Sequence, residues 1–306
     1  MGTPLDVVTG GAGFIGSHLA EALLAAGRRV RVVDDLSTGR RERVPAGAEL
    51  LEADVNDAAD AAVRGAEVVY HLAALPSVPR SVERPLESHR ATARGTMAIL
   101  EAAARAGVRR VVFASSSSVY GDTPTLPKRE DMPPRPLSPY AVAKLAGEMY
   151  ARAFAALGRV ETVCLRFFNV YGPRQDPDSP YAAVIPTFLR RAREGRPFPV
   201  HGDGLQTRDF TFVGDVVRGI LAAGRTPGVS GRVYNIAAGR PISVRDLARE
   251  VARILGAPDA VEVLPPRPGD IRDSWADVSA ARRDLGFAAR VSLEEGLRAA
   301  AGAREP

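Results

Sequence analysis

The segment Thr9-Gly10-Gly11-Ala12-Gly13-Phe14-Ile15-Gly16 constrains this chain more than any other. It follows a short β-branched run, Leu5 to Thr9, and opens an apolar-periodic stretch that stops at Gly27, so it joins a strand to a helix. Each glycine has a steric task. Gly10 permits the tight turn, Gly13 lets backbone N–H groups approach a pyrophosphate, and Gly16 lets the helix pack against the strand. The helix N-terminus adds partial positive charge, so the turn is an anion site made mostly of backbone. Asp34 ends the next strand pattern, where a carboxylate accepts both ribose hydroxyls of an adenosine and repels a 2′-phosphate. Together they point to a dinucleotide and favour NAD over NADP, although Arg40 and Arg41 lie close by and soften that preference.

Up to Gly172 short strand patterns alternate with longer helical ones. The strands read as Leu5 to Thr9, Val30 to Asp34, Leu50 to Ala53, Val68 to Ala73, Val111 to Ser115 and Thr162 to Phe168. Gly16 to Ala26 and Thr92 to Ala106 carry apolar residues at helical spacing and end at glycines. This alternation predicts a Rossmann-like α/β domain, a doubly wound parallel sheet, over residues 1–172. Pro173, Asp176, Pro177, Asp178 and Pro180 then mark the start of a smaller C-terminal α/β lobe, residues 173–306. Its expected helices are Ala182 to Arg193, Val244 to Leu255 and Ser279 to Leu285, with short strands near Pro199, Val233 and Val261. A segment of about 208–239 is expected to cross back to the first domain.

Composition excludes several classes of function. The 306 residues are 45% hydrophobic and 25% charged, enough for a sizeable core, and no apolar run is long enough to span a bilayer. No basic-then-apolar leader precedes the first strand, so a cytoplasmic protein without membrane contact is expected. Cys164 is the single cysteine and cannot form an internal disulfide, while His18, His71, His89 and His201 lack metal-ligand spacing, so no metal is expected. The charge of +5 favours an anionic partner, but the arginines sit in mixed-charge helices without interleaved aromatics. A phosphorylated small molecule is the expected ligand, not nucleic acid.

A second constellation carries chemistry. In Ser138-Pro139-Tyr140-Ala141-Val142-Ala143-Lys144 the serine reads as an N-cap and the proline as the first helical residue, which puts Tyr140 and Lys144 on one face. A free tyrosine has a pKa of about 10, so a base acting near neutrality needs a shift of roughly three units, or about 4 kcal/mol. An ammonium one turn away and a helix N-terminus both push that way. Ser115 to Ser118 close the fifth strand pattern at its carboxyl end, where open α/β sheets place their ligand crevice.

These features, Thr9 to Gly16, Ser116 and Tyr140-x-x-x-Lys144, resemble the extended short-chain dehydrogenase/reductase superfamily over nearly the whole chain. Within it, His71-Leu-Ala-Ala-Leu-Pro-Ser-Val-Pro-Arg-Ser81, Ser116-Ser-Ser-Val-Tyr-Gly-Asp122 and Arg166-Phe-Phe-Asn-Val-Tyr-Gly172 are similar to UDP-hexose and UDP-N-acetylhexosamine 4-epimerases. The resemblance implies that Tyr140 removes the sugar O4 proton while NAD takes the C4 hydride, and that the 4-keto sugar turns over before both return. It gives Ser116 the task of holding O4, and Lys144 that of lowering the Tyr140 pKa and holding the nicotinamide ribose. Further cofactor contacts are implied for Phe14, Ile15, Asp35, Leu36, Ser37, Thr38 and Gly39, for Asp54 and Val55, and for Leu72, Ala73 and Ala74.

For the substrate, the resemblance places Arg208 and Arg267 on the UDP diphosphate and Val184, Val200 and His201 around uracil and ribose. Ser77, Ser117, Asn169, Ala183 and Asp270 occupy other substrate-contacting positions. Ser274 matches a gatekeeper facing the sugar C2 substituent, and its small side chain leaves room for an N-acetyl group. One departure is Thr92, where the family usually carries Asn; it reads as a helix-starting residue. Dehydratases and decarboxylases of this fold resemble one another in placing acids beside the active-site Ser or Thr, where Ser117 and Ser118 stand here, so epimerisation is favoured. A UDP-glucuronate 4-epimerase is the nearest alternative, and a non-catalytic NAD-binding regulator the alternative of a different class. A homodimer through Thr92 to Ala106 and Pro139 to Ala156 is also implied.

Overall fold

Strands buried on both faces of a parallel sheet carry apolar side chains at nearly every position, and most strand runs of the N-terminal half have that character. The computed structural model describes residues 3–176, 183–266 and 271–302. It forms β1 (Leu5–Thr9), α1 (Phe14–Ala25), β2 (Arg29–Asp34), β3 (Glu49–Glu52), α2 (Val55–Val63), β4 (Ala66–His71), α3 (Val78–Glu83) and α4 (Pro85–His89). There follow α5 (Gly95–Arg105), β5 (Arg110–Ser116), α6 (Pro139–Ala156), β6 (Glu161–Phe167), β7 (Val170–Tyr171) and α7 (Val184–Arg193). The remainder is β8 (Phe198–His201), β9 (Thr207–Asp209), β10 (Thr211–Phe212), α8 (Val213–Arg225), β11 (Arg232–Ile236), β12 (Pro241–Ser243), α9 (Val244–Leu255), β13 (Val261–Leu264), β14 (Asp273–Ser274), α10 (Ser279–Leu285) and α11 (Leu293–Gly302).

Seven strands pair in parallel in the order β3-β2-β1-β4-β5-β6-β11, a Rossmann-like doubly wound sheet. Strand order reverses between β1 and β4, which opens a crevice at their carboxyl ends. Successive residues face opposite layers. Val7, Val33, Val69 and Val111 pack against α2, α5 and α6, while Val8, Val32, Val68 and Val112 pack against α1, α8 and α10. A separate apolar cluster holds Phe188 and Leu189 of α7, Phe198 and Val200 of β8, and Leu247 and Val251 of α9. Around it β8 pairs with β13, β7 with β10, and β9 lies between β12 and β14.

The helix expected from Thr92 starts earlier. Pro85 occupies its first turn, and α4 passes into α5 through a π-helical turn, Arg90–Arg94. Glu87, His89 and Arg90 hide this upstream half from an apolar-periodicity reading, and Thr92 sits inside the helix, not at its start.

Helix α6 lies close on β5: a Cβ added at Gly147 would stand 2.5 Å from Cζ of the buried Phe113. A mid-helix Gly→Ala change ordinarily stabilises by about 1 kcal/mol. Here overpacking at about 1–3 kcal/mol reverses the sign. Thermal unfolding of Gly147→Ala should show a lowered midpoint, and an unchanged or raised one would mean that α6 is not seated this tightly.

Candidate active site

The glycine turn is as tight as its residues allow. Gly10 has φ +69°, and a Cβ on it would lie 2.9 Å from the Ala73 nitrogen; one on Gly16 would collide with the Gly10 carbonyl. Helix α1 starts at Gly13 with no side-chain cap and no acid in its first turn, so its first donors have no side chain to satisfy them. Asp34 takes Ala12 N–H at 3.0 Å on one oxygen and Leu36 N–H at 2.9 Å on the other, each oxygen keeping a further lone pair. Burial pushes its pKa above the usual carboxylate range, against the pull of those two donors. A turn that a Cβ would fill, uncapped donors and a carboxylate in reserve fit a dinucleotide.

The other expected cofactor residues surround this turn. Leu36 bends the loop through φ +57°, Asp35 accepts Ser37 N–H and hydroxyl, Thr38 is exposed, and Gly39 passes so near Asp34 that a Cβ would meet its Oδ1 at 2.6 Å. Asp54 caps α2 ahead of the buried Val55 and accepts from Arg90 at 2.5 Å. Leu72, Ala73 and Ala74 follow β4, and Ala73 N–H donates to Thr9 Oγ1 at 3.2 Å.

Beneath the turn runs a buried polar chain. Thr96 Oγ1 donates to the Thr92 carbonyl at 2.6 Å, so it accepts from His71 Nε2–H at 3.1 Å. His71 Nδ1 therefore accepts the Thr9 hydroxyl at 2.7 Å. The imidazole is neutral, its pKa pushed down to about 3 by burial and by the Lys144 charge. Thr92 Oγ1, by contrast, is buried without a partner.

Ser138 caps α6, accepting Ala141 N–H at 3.2 Å, and Pro139 fills the first helical position. This puts Tyr140 and Lys144 at the carboxyl end of β5 beside Ser116, whose hydroxyl pulls the Tyr140 pKa down. Lys144 Nζ donates to the Ala114 carbonyl at 2.7 Å and lies 5.1 Å from the Phe113 ring centre. The expected drop in the Tyr140 pKa is reversed here: desolvation pushes it up to about 12, only partly offset by Ser116. The same desolvation pushes Lys144 down to about 7. Sequence spacing supplies the cation but not the dielectric around it.

A cavity of about 240 Å³ is lined by Asn169, Ala183, Val184, Pro199, His201, Gln206 and Arg208. Arg208 Nη1 donates to the Thr207 carbonyl at 2.8 Å, and Ser274 is buried opposite Arg208 in register. The side chain of Val200 does not take its expected place. Strand β8 alternates, so Val200 enters the apolar core while Pro199 and His201 share the cavity face. Ser77 caps α3 through Arg80 N–H, and Ser117 opens the turn after Ser116. Arg267 and Asp270 lie outside the described residues. A larger cavity, about 630 Å³ between α1 and α7, contains none of the expected residues.

His71, Pro199 and Gln206 escaped the sequence reading. Thr9 and His71 end neighbouring parallel strands at matching positions, and strand alternation from His201 reaches Pro199, so both signals lay in register.

The sequence profile of the NAD dependent epimerase/dehydratase family matches residues 7–237. A UDP-glucose 4-epimerase of Mycolicibacterium smegmatis is 43% identical over 300 residues, 95% of each chain. The Thermotoga maritima UDP-glucose 4-epimerase, solved with UDP-glucose, superposes with a TM-score of 0.93 at 37% identity over 97% of both chains. A UDP-N-acetylglucosamine 4-epimerase of Methanobrevibacter ruminantium, in complex with UDP-N-acetylmuramic acid, gives 0.94 at 35% identity over 98% of both.

A histidine held neutral in the fold but free to charge when unfolded makes stability fall as pH drops below about 6.5, by about 1.4 kcal/mol per unit. Above that pH the group contributes no slope. Urea unfolding of wild type and His71→Gln at several pH values between 7.5 and 5 should show the stability difference shrinking toward acid. Parallel pH curves would mean that His71 charges within the fold.

Proposed function

This chain belongs to the NAD dependent epimerase/dehydratase family, and we propose that it is an isomerase that inverts C4 of UDP-sugars. UDP-glucose and UDP-galactose are its substrates, with UDP-N-acetylglucosamine and UDP-N-acetylgalactosamine admitted beside the small Ser274. The observation that carries the reading is the placing of Ser116, Tyr140 and Lys144 together at the carboxyl edge of the sheet, next to the crevice between β1 and β4.

Gly10, Gly13, Phe14, Ile15 and Gly16 would hold the diphosphate of NAD, and Asp34 its adenosine ribose. Bound NAD supplies a reversible acceptor for the C4 hydride and a positive charge that opposes the desolvation of Tyr140. Tyr140 takes the O4 proton as the alcohol becomes a ketone, and Ser116 holds O4 in place. After the keto sugar turns its other face, Tyr140 returns the proton to O4. Lys144 keeps positive charge beside the tyrosinate. Arg208, with Arg267, would grip the diphosphate of the substrate. Ser117 and Ser118 offer no carboxyl for elimination, which supports epimerisation over dehydration.

The division of labour is a nucleotide domain, residues 1–172 with the return of about 208–239, and a substrate lobe in residues 173–306. No helix among the described residues is long and apolar enough to cross a membrane. The cytoplasm is the compartment we propose for the enzyme. It works as a homodimer. Val82, Leu86, Val142, Met149 and Tyr150 are exposed on α3, α4 and α6, with Leu86 83% accessible, while Ile99 and Leu100 of α5 are buried. The dimer face therefore draws on α3 and α4 upstream of the helix first expected.

Purified protein assayed on UDP-glucose, UDP-N-acetylglucosamine and UDP-glucuronate should epimerise the first two. Tyr140→Phe should cost about 10²- to 10⁴-fold in kcat. C4 epimerisation at wild-type rate in that variant would refute the catalytic assignment. Light scattering of Leu86→Arg should show a monomer where wild type is a dimer, and an unchanged mass would place the interface elsewhere.

A further inference from the structure

Three successive turns of α6 hold three successive residues of β5. Tyr140 stands beside Ser116, whose hydroxyl acts on it, Lys144 Nζ donates to the Ala114 carbonyl at 2.7 Å, and Glu148 accepts the Ser115 hydroxyl at 2.5 Å. Residues 140, 144 and 148 are spaced to share one helix face. The first two belong to the catalytic set, and the third has had no role. Glu148 is fully buried. Arg166 of β6, opposite Ser115 in register, binds it through Nε at 2.9 Å and Nη2 at 2.7 Å, and the guanidinium lies 4.6 Å from the Tyr120 ring centre. A buried ion pair is weak support for a fold, since apolar residues of the same volume commonly do as well. This one stands one helical turn from the catalytic lysine.

We propose that Glu148, backed by Arg166, is a positioning residue for the reaction: its carboxylate is the buried counter-charge to Lys144, and through Ser115 it fixes the strand end that presents Ser116 to Tyr140. The inference rests on reading Ser116, Tyr140 and Lys144 as the reacting set. Lys144 is faced by Tyr140 and Glu148 on its own helix, by neutral His71 of β4, and by the Phe113 ring and Ala114 carbonyl of β5. Arg166 approaches Glu148 from β6. Among these groups Glu148 alone is an anion, and it opposes the desolvation that drives Lys144 toward the neutral amine. Without it the ammonium is lost at lower pH, and with it the charge that supports the tyrosinate.

The test compares Glu148→Gln, Glu148→Gln/Arg166→Met and Ser115→Ala with wild type as NAD-loaded enzyme, recording kcat against pH, KM for UDP-glucose and retained nicotinamide. The double variant avoids leaving Arg166 buried and unpaired. Both Glu148 variants should move the alkaline limb of the kcat profile down by about one pH unit, with KM and nicotinamide content unchanged. Ser115→Ala should lower kcat roughly ten- to a hundred-fold with the limb in place. A double variant with the wild-type profile overturns the counter-charge, and Ser115→Ala with wild-type kcat overturns the clamp. Should Glu148→Gln alone not fold, the double variant decides the counter-charge and Ser115→Ala the clamp. Undiminished epimerisation in Tyr140→Phe would instead remove the reading beneath the proposal.

Discussion

The crossing of α1 over the turn after β1 sets the terms for the rest of the molecule. Only glycine at residue 16 clears the Gly10 carbonyl, and only because it does can the helix begin at Gly13 with its donors uncapped. All seven strands run the same way, so the loops that follow them share one edge with that helix start. Ser116 at the end of β5 and Tyr140 in the first turn of α6 come to the same edge without a long excursion of the chain. Thr9, the residue before the turn, is tied through His71 and Thr96 to the helix beside α6. The glycine turn and α5, which packs beside α6, are thereby joined by one chain of hydrogen bonds.

Buried polar groups do most of the aligning. Besides His71 and the Glu148–Arg166 pair, the carboxylate of Asp209 gathers Ala238 N–H at 2.9 Å, Gly239 N–H at 3.0 Å and Ala276 N–H at 3.2 Å, beside Arg208 in the chain. Burial raises its pKa to about 6 even with those donors in place. Such groups add little net stability, because desolvation offsets much of what their bonds contribute. Their effect is selective: a packing shifted by one residue would strand each of them without partners, so few alternatives compete with the native one.

How much of this could be read beforehand depended on the range of each signal. Local signals were legible: the glycine turn, the Ser138-Pro139 helix start, and the limits of α9 and α10 depend on caps and periodicity within a few residues. The start of the helix at Pro85 was hidden by a polar first turn. Thr9 and Thr96 lie 62 and 25 residues from His71, Ser115 and Arg166 lie 33 and 18 from Glu148, and nothing in the neighbourhoods of His71 and Glu148 announces them. The facing of Val200 needed the strand's orientation as well as its existence. Tyr140 is the clearest case, since its motif marks it as the proposed base while the energy needed to ionise it depends on a desolvation that only the assembled tertiary structure creates.

The π-helical turn at Arg90–Arg94 has a geometric consequence of its own. A wide turn of this kind carries one residue more than an α-helix needs, and one residue corresponds to about 100° of rotation around the axis. The stretch before it and the stretch after it are therefore out of phase. Downstream, Ile99 and Leu100 point into the sheet; upstream, the rotated half turns Leu86 outward to solvent. Removing a single residue between 90 and 94 would leave a regular helix of almost the same length whose two ends faced the wrong ways. The turn works as a phase shifter, letting one continuous helix serve the interior at one end and the molecular surface at the other.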